Sequence, residues 1–242
     1  MDIADARLVR IIKKPHLRKE TIGNATLYLA DCREIVGLLP VGCAILTDPQ
    51  YGGGRFNSTH NSSRKGAGAA MTRTDGNFTA SKGDEEDFDP RPWLAFDSAV
   101  LWGANHFCDQ LPRGNRWLTW DKLDGKTPAP GTSDTEFAWT SEKGPSRTFT
   151  HLWRGIMRAG EENVVFGGKL HPHQKPVELM KWCIKLQPPA EVIVDPYMGS
   201  ASTGIAALRC GLRFIGCDIN EQHFDTACER IENAQRQERL FA

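Results

Sequence analysis

Apolar residues fall in short runs along the chain, and their spacing switches repeatedly between strand-like and helix-like. Residues 26–31 predict a short strand ending in the acid Asp31, and residues 32–39 a helix turn leading to the next strand. Cys43-Ala44-Ile45-Leu46-Thr47 predicts a buried strand that stops at Asp48. Residues 52–91 carry no period and are rich in Gly, Ser, Asn, Thr and charge. So long a patternless stretch inside a compact domain signals a functional or mobile loop. Regularity returns with strands at 99–103, 116–120 and 136–140, and with an alternating segment at 147–154. Pro176 suits the first turn of a helix running to about Leu186, which Pro188-Pro189 end. A strand follows at 191–195, then a helix at 202–210 stopped by Gly211, a strand at 212–218, and an amphipathic helix from Asn220 to about Arg236. Strands alternating with helices imply a parallel sheet covered on both faces.

Three strand ends carry candidate chemistry. Asp195 ends one strand and leads into Gly199 and Gly204, which would let the backbone turn tightly into a helix. Asp218 ends the next, where an acid accepts hydrogen bonds from ribose hydroxyls. A nucleoside-type cofactor fits this order. A dinucleotide would need a helix N-terminus kept clear for its pyrophosphate, whereas Asp195 suits a cationic partner. S-adenosyl-methionine is cationic at both its amino group and its sulfonium.

The third strand end reads Asp48-Pro49-Gln50-Tyr51-Gly52-Gly53-Gly54. It delivers a carboxylate, a proline carbonyl and an aromatic ring onto a glycine-loosened loop. An exocyclic amine on a nucleic-acid base is a poor nucleophile because its lone pair is delocalised into the ring. Two acceptors aimed at its N–H bonds, the Asp48 carboxylate and the Pro49 carbonyl, would free that pair. Tyr51 can stack on a base flipped out of the duplex. No cysteine nucleophile is needed.

Composition narrows the picture little. The chain has 242 residues, enough for one large α/β domain. It has 30 basic and 30 acidic residues, a weak argument against nucleic acid, but the charge is uneven. Arg7, Arg10, Lys13, Lys14, Arg18 and Lys19 form one acid-free run, and Arg55, Arg64, Lys65 and Arg73 another. No apolar run approaches a membrane span or a signal region. The seven cysteines show no C-x-x-C spacing, which favours reduced thiols in a cytosolic protein over a disulfide framework or a zinc site.

Three pieces in order, Asp48-Pro49-Gln50-Tyr51-Gly52, His171-Pro172-His173-Gln174-Lys175-Pro176 and Asp195-Pro196-Tyr197-Met198-Gly199-Ser200, resemble the β-group of amino-methylating DNA methyltransferases, including short phage and prophage forms. The resemblance runs from about Ala25 to Asn233. It implies an α/β, Rossmann-like methyltransferase fold, mostly parallel and helix-covered on both faces, with circularly permuted motif order. The chain would be a single methyltransferase domain, 1–242, with a mobile loop insertion at about 52–91 and a target-recognition region at about 140–170. Methyl would pass from S-adenosyl-methionine, leaving S-adenosyl-homocysteine, with no metal.

The resemblance also implies roles. Asp195, Gly199 and Ser200 would border the methionine part of the cofactor, Asp218 would hold its ribose, and Asp31 and Cys32 would reach its adenine. Lys175 would sit near the methionine carboxylate. Asp31 has a second reading, as the cap of the helix that follows. The family's cytosine enzymes more often have serine at the first turn position, so Asp48 favours adenine N6. The chain departs from the family at Gln50, where a second proline is usual, and at Ala201-Ser202, where Gly-Thr is usual. The first loosens the turn; the second implies a less extreme backbone there.

For double-stranded DNA, Lys143, Arg147, Trp153 and Arg154 are the candidate contacts in the recognition region, and Arg55, Arg64 and Lys65 those in the loop. Either set has a competing reading as a solvated surface or a half-buried edge strand. So short a reader implies a short target or a homodimer. No nuclease motif is visible. The alternatives are an N4-cytosine enzyme, a methyltransferase for RNA or a protein amide, and an impaired module that binds without turnover.

Overall fold

A computed structural model describes residues 18–50, 87–128, 133–154, 157–158 and 174–241. In chain order the elements are β1 (Arg18–Ile22), β2 (Ala25–Leu29), α1 (Cys32–Ile35), β3 (Ala44–Thr47), α2 (Arg91–Leu94), β4 (Ser98–Trp102), β5 (Trp117–Asp121) and β6 (Thr135–Thr140). There follow β7 (Arg147–Thr150), β8 (Trp153–Arg154), β9 (Met157–Arg158), α3 (Val177–Leu186), β10 (Val192–Asp195), α4 (Ser202–Arg209), β11 (Arg213–Asp218) and α5 (Glu221–Phe241). The patternless stretch lies outside the described residues up to residue 86, as do 155–156 and 159–170 of the candidate recognition region.

The main sheet has nine strands in the order β1-β2-β11-β10-β3-β4-β6-β5-β7. Its centre, β2-β11-β10-β3-β4, is parallel throughout. Strands β3, β4 and β10 are buried at every position, which is why they read as apolar runs rather than alternating ones. Beyond β4 the sheet turns antiparallel: β6 pairs with β4 and with β5, and β7 then runs parallel to β5. Helices α3, α4 and α5 cover one face, over Leu46, Trp102, Trp120 and Phe214. The other face packs Ile45, Leu101 and Val194 against Trp93, Phe107 and Tyr197.

Strand β1 is not legible in the hydrophobic pattern. Its sequence Arg-Lys-Glu-Thr-Ile is mostly charged, and it forms because a two-residue turn at Gly23 (φ +52°) and Asn24 folds it back on β2 with Ile22 opposite Ala25. A charged edge strand also discourages pairing with other chains.

Gly204 does not serve the turn before α4. It lies within the helix, where a Cβ would stand 2.6 Å from the Phe214 ring and 2.9 Å from Ile231, so its role is to let α4 approach β11 and α5. Gly211 ends α4's turn at φ +74°, as expected. Helix α5 is capped by Asn220, whose side-chain oxygen accepts from the Gln222 and His223 amides, and it runs beyond the expected Arg236. The seven cysteines form no disulfide. Among the described residues no helix is long and apolar enough to cross a membrane.

Candidate active site

The parallel strands end along one edge of the sheet. From β10 the chain passes through α4 to β11 on one side, while β3 connects to β4 on the other. Such a reversal leaves a crevice between the two diverging strands. Here it falls between β10 and β3, and a cavity of about 560 Å³ occupies it, a size suited to a cofactor plus part of a substrate.

Asp195 and Asp48 flank the crevice. Asp195 is 3% exposed; its Oδ1 accepts from Thr47 Oγ1 at 2.6 Å and from the Tyr197 amide at 3.1 Å. Burial pushes its carboxyl up to about 6, against hydrogen bonds from Thr203, Thr47 and the Tyr197 amide; the charge of Asp48 adds to the rise. A buried carboxylate in this state gains from a cation placed beside it.

The loop after β10 is tied to β11. Asp218 Oδ2 accepts from the Gly199 amide at 3.1 Å, and its Oδ1 from the Asn220 amide at 2.8 Å. Ser200 is buried, and its carbonyl accepts from the Arg230 guanidinium. Gly199 has φ +48°. Ala201 also lies in the left-handed region, at φ 58° and ψ 36°. The relaxed backbone expected at Ala201 is therefore absent; the loop keeps a conformation that glycine favours and alanine strains.

Asp31 does act as a helix cap, accepting from the Arg33 amide at 2.9 Å while the Arg33 guanidinium forks across both its oxygens. These bonds from Arg33 hold its carboxyl below the usual range despite burial. It also lines the cavity with Cys32, so cap and wall are one residue. Burial pushes the Cys32 thiol up to about 11, against a hydrogen bond with Tyr197, which makes it a wall and not a nucleophile. Beyond Asp218 the cavity wall includes Ile219, an apolar side chain left 46% exposed.

Asp48, Pro49 and Gln50 line the other half of the cavity; Tyr51 lies outside the described residues. Lys175 Nζ sits 2.5 Å from Asp48 Oδ2 and 2.9 Å from Glu136 Oε2. Lys122 Nζ is 3.1 Å from the other Glu136 oxygen. Burial would raise the Glu136 carboxyl, but the charges of Lys175 and Lys122 outweigh it and hold it down to about 2. In this structure Lys175 thus joins the turn at Asp48 to β6. Sequence reasoning missed Glu136 and Ile219, and it gave Lys122 no role although Trp120-Asp121-Lys122 resembles the phage forms. Ile219 left a signal too, as an apolar residue following the acid at the end of β11.

Of the candidate DNA contacts, Lys143 and Arg147 are exposed. Trp153 is not available for stacking: it is 8% exposed in the main core, and its indole N–H donates to the Gln174 carbonyl at 3.1 Å. The run Phe149-His151-Trp153 is a packed row, with Phe149 against both His151 and Trp182. Arg154 is described only as part of β8, and Arg55, Arg64 and Lys65 lie outside the described residues. Among the described residues no group of His, Cys, Asp or Glu is arranged to hold a metal ion.

A family described as DNA methylase matches residues 112–229, a span that includes Lys122, Glu136, Lys175, the Asp195 loop and Asp218. The chain resembles the amino-methylating DNA methyltransferases. YubD of Escherichia coli (strain K12), a methylase by name, is 37% identical over 71 residues, which are 29% of this chain and 31% of that protein. The type II methyltransferase M2.DpnII of Streptococcus pneumoniae is 37% identical over 82 residues, 34% of this chain and 30% of that protein. The matched segments span about a third of the length of these curated relatives. The PvuII DNA methyltransferase, described as cytosine-N4-specific, superposes with a TM-score of 0.51 over 90% of this chain and 93% of its own, at 15% identity. That likeness is one of fold: the mostly parallel, Rossmann-like sheet expected from the sequence is the one observed.

Proposed function

We propose that this protein transfers a methyl group from S-adenosyl-methionine directly to the exocyclic amine of a base in double-stranded DNA, with adenine N6 as the target. The observation that carries the reading is the continuity of one cavity from Asp218 and Ile219, past Asp195, to Asp48 and Pro49. Its first half fits a cationic nucleoside. Asp218 offers ribose hydroxyls an acceptor, Ile219 gives a flat base an apolar surface, and buried Asp195 gains from a neighbouring positive charge. Asp31 and Cys32 would wall the adenine, and Gly199 and Ser200 the methionine end. The sulfonium supplies an activated methyl group and leaves as a neutral thioether.

The second half handles the acceptor. Asp48 and the Pro49 carbonyl take hydrogen bonds from the two N–H groups of the base amine, turning its lone pair towards the methyl carbon. The new N–C bond forms as the S–C bond breaks, and one proton leaves the nitrogen for solvent. Tyr51 would stack on the flipped base. Asp48, where serine is usual in cytosine enzymes, supports adenine. Lys143 and Arg147, with Arg154 and the loop residues Arg55, Arg64 and Lys65, would contact phosphate. The whole chain would act as one methyltransferase domain.

The test is to incubate purified protein with labelled S-adenosyl-methionine and mixed-sequence duplex DNA, then identify the product by nucleoside mass spectrometry. N6-methyladenine supports the reading in full. N4-methylcytosine keeps the mechanism and overturns the base. Cofactor binding with methyl on no DNA base overturns the DNA substrate.

A further inference from the structure

Asp48 and Asp195 come off neighbouring strands, and the charge of Asp48 opposes ionisation of Asp195. Two carboxylates lining one crevice gain from a counter-charge beside them. Lys175 brings one onto Asp48. A lysine ammonium on a four-carbon stem is a mobile point charge, so its place depends on what grips it from the other side. That grip is Glu136, contributed by β6, and Lys122 balances Glu136 in turn.

The fold explains how a strand far from the catalytic turn reaches it. Strand β6 runs antiparallel to β4, so its first residues lie on the edge where the parallel strands end. Glu136 pairs with Trp120 of β5, and Lys122 follows Trp120 by two residues, placing it on the same face. Lys175 precedes α3, which covers that face. The side chains of Lys175, Asp48, Lys122 and Glu136 are 9%, 15%, 16% and 28% exposed, so water screens this row of alternating charges poorly.

Resting on the function proposed above, we propose that Glu136 is a positioning residue for methyl transfer: with Lys122 behind it, it fixes the Lys175 ammonium against Asp48 and so holds that carboxylate as the acceptor for the substrate amine. Glu136 acts through Lys175 and does not touch the base. Losing it frees the ammonium to collapse over Asp48 or to swing away, and either displaces the acceptor. Cofactor binding, at the other half of the cavity, is spared.

The experiment compares wild type with Glu136→Gln, Glu136→Asp and Lys122→Met in two measurements on the full chain. The first is trace acetylation of Lys175 by acetic anhydride, quantified by peptide mass spectrometry against exposed Lys185, and it needs no activity. Glu136→Gln is expected to change the relative labelling of Lys175 by about threefold or more, with Lys122→Met changing it less and Glu136→Asp lying near wild type. The second is methyl transfer, where Glu136→Gln is expected to lower kcat by about tenfold or more with the KM for S-adenosyl-methionine within about twofold, and Glu136→Asp to recover most of the rate. Unchanged Lys175 labelling in a folded Glu136→Gln protein overturns the proposal, whatever the activity. So does changed labelling with kcat intact, or a loss that appears in KM instead. A wild-type protein that methylates no DNA overturns the functional reading itself, and the methyl-transfer role of Glu136 with it; that failure is recognisable because it occurs before any substitution.

Discussion

Thr47 donates its hydroxyl to Asp195 Oδ1 at 2.6 Å, joining the last residue of β3 to the last residue of β10 across the crevice that divides the sheet. Both residues are buried, so the bond is made out of water. It couples the two halves of the cavity: Thr47 leads directly into Asp48, and Asp195 directly into the loop that carries Gly199 and Ser200. Thr47→Val keeps the shape and removes the donor. Leaving a buried acceptor short of a partner should cost about 1–3 kcal/mol of stability. The carboxyl should rise further, because one hydrogen bond favouring its ionised form is gone. Urea unfolding near neutral pH measures the first effect; an unchanged midpoint would show that the bond contributes nothing to the fold.

Asp195 also predicts a pH dependence. In the free protein its carboxyl is raised to about 6, so this group's ionisation opposes folding: its contribution is most favourable below the ordinary carboxylate range and is lost as pH rises through about 6. A bound cation favours the ionised form and reverses that preference. Affinity for S-adenosyl-methionine should therefore climb with pH, by up to about fivefold between pH 5 and 6 and about twofold more to pH 7, and flatten above that. Calorimetric titration across pH 5–8 checks this. Asp195→Asn should bind weakly with no such slope, and an equally flat wild-type profile would remove Asp195 from the cation's surroundings.

Gly204 predicts a stability effect opposite to helix propensity. Alanine at an interior helix position is ordinarily better than glycine by about 1 kcal/mol. Here the added methyl would meet the Phe214 ring at 2.6 Å and Ile231 at 2.9 Å. Overpacking should win, giving Gly204→Ala a net loss of about 1–2 kcal/mol. Adding Phe214→Leu, which shortens the opposing ring, should make Gly204→Ala less costly than it is alone. A double-mutant cycle by urea denaturation reads the coupling, and strict additivity would mean that the ring is not what glycine accommodates.

The parts of this fold written in local pattern were legible. Buried parallel strands such as Ala44–Thr47 and Val192–Asp195 announce themselves as apolar runs, and each stops at an acid that lines the cavity. What escaped depends on partners distant in sequence. Strand β1 is held by a turn and a neighbour, not by its own hydrophobicity. Gly204 looked like a turn residue because its packing partner Phe214 lies on the following strand. Trp153 sits among arginines in sequence and looks like a surface residue, yet it is buried in the main core, with its indole N–H on the distant Gln174 carbonyl. The pairing of Lys175 with Asp48 and Glu136 has no sequence signature, since nothing local says which carboxylates a lysine will meet.

The two halves of the cavity should separate under mutation. Asp218 ties the Gly199 amide to the end of β11 and lines the cavity, so under the proposed function Asp218→Ala removes both a ribose acceptor and the anchor of the loop. Its affinity for S-adenosyl-methionine should fall by about tenfold or more, as expected for losing a charge-assisted hydrogen bond of about 1.5–3 kcal/mol. Asp48 lies at the acceptor end, on the side of the crevice away from that loop. Asp48→Ala should bind cofactor within a few-fold of wild type, while methyl transfer falls by about a hundredfold or more through loss of a preorganised acceptor. Binding calorimetry paired with single-turnover methylation distinguishes the two. If Asp48→Ala methylates normally, the amine is activated elsewhere and the turn at Asp48-Pro49 is only a wall. If Asp218→Ala binds cofactor as the wild type does, the nucleoside lies elsewhere in the cavity and the polarity assigned to the site is reversed.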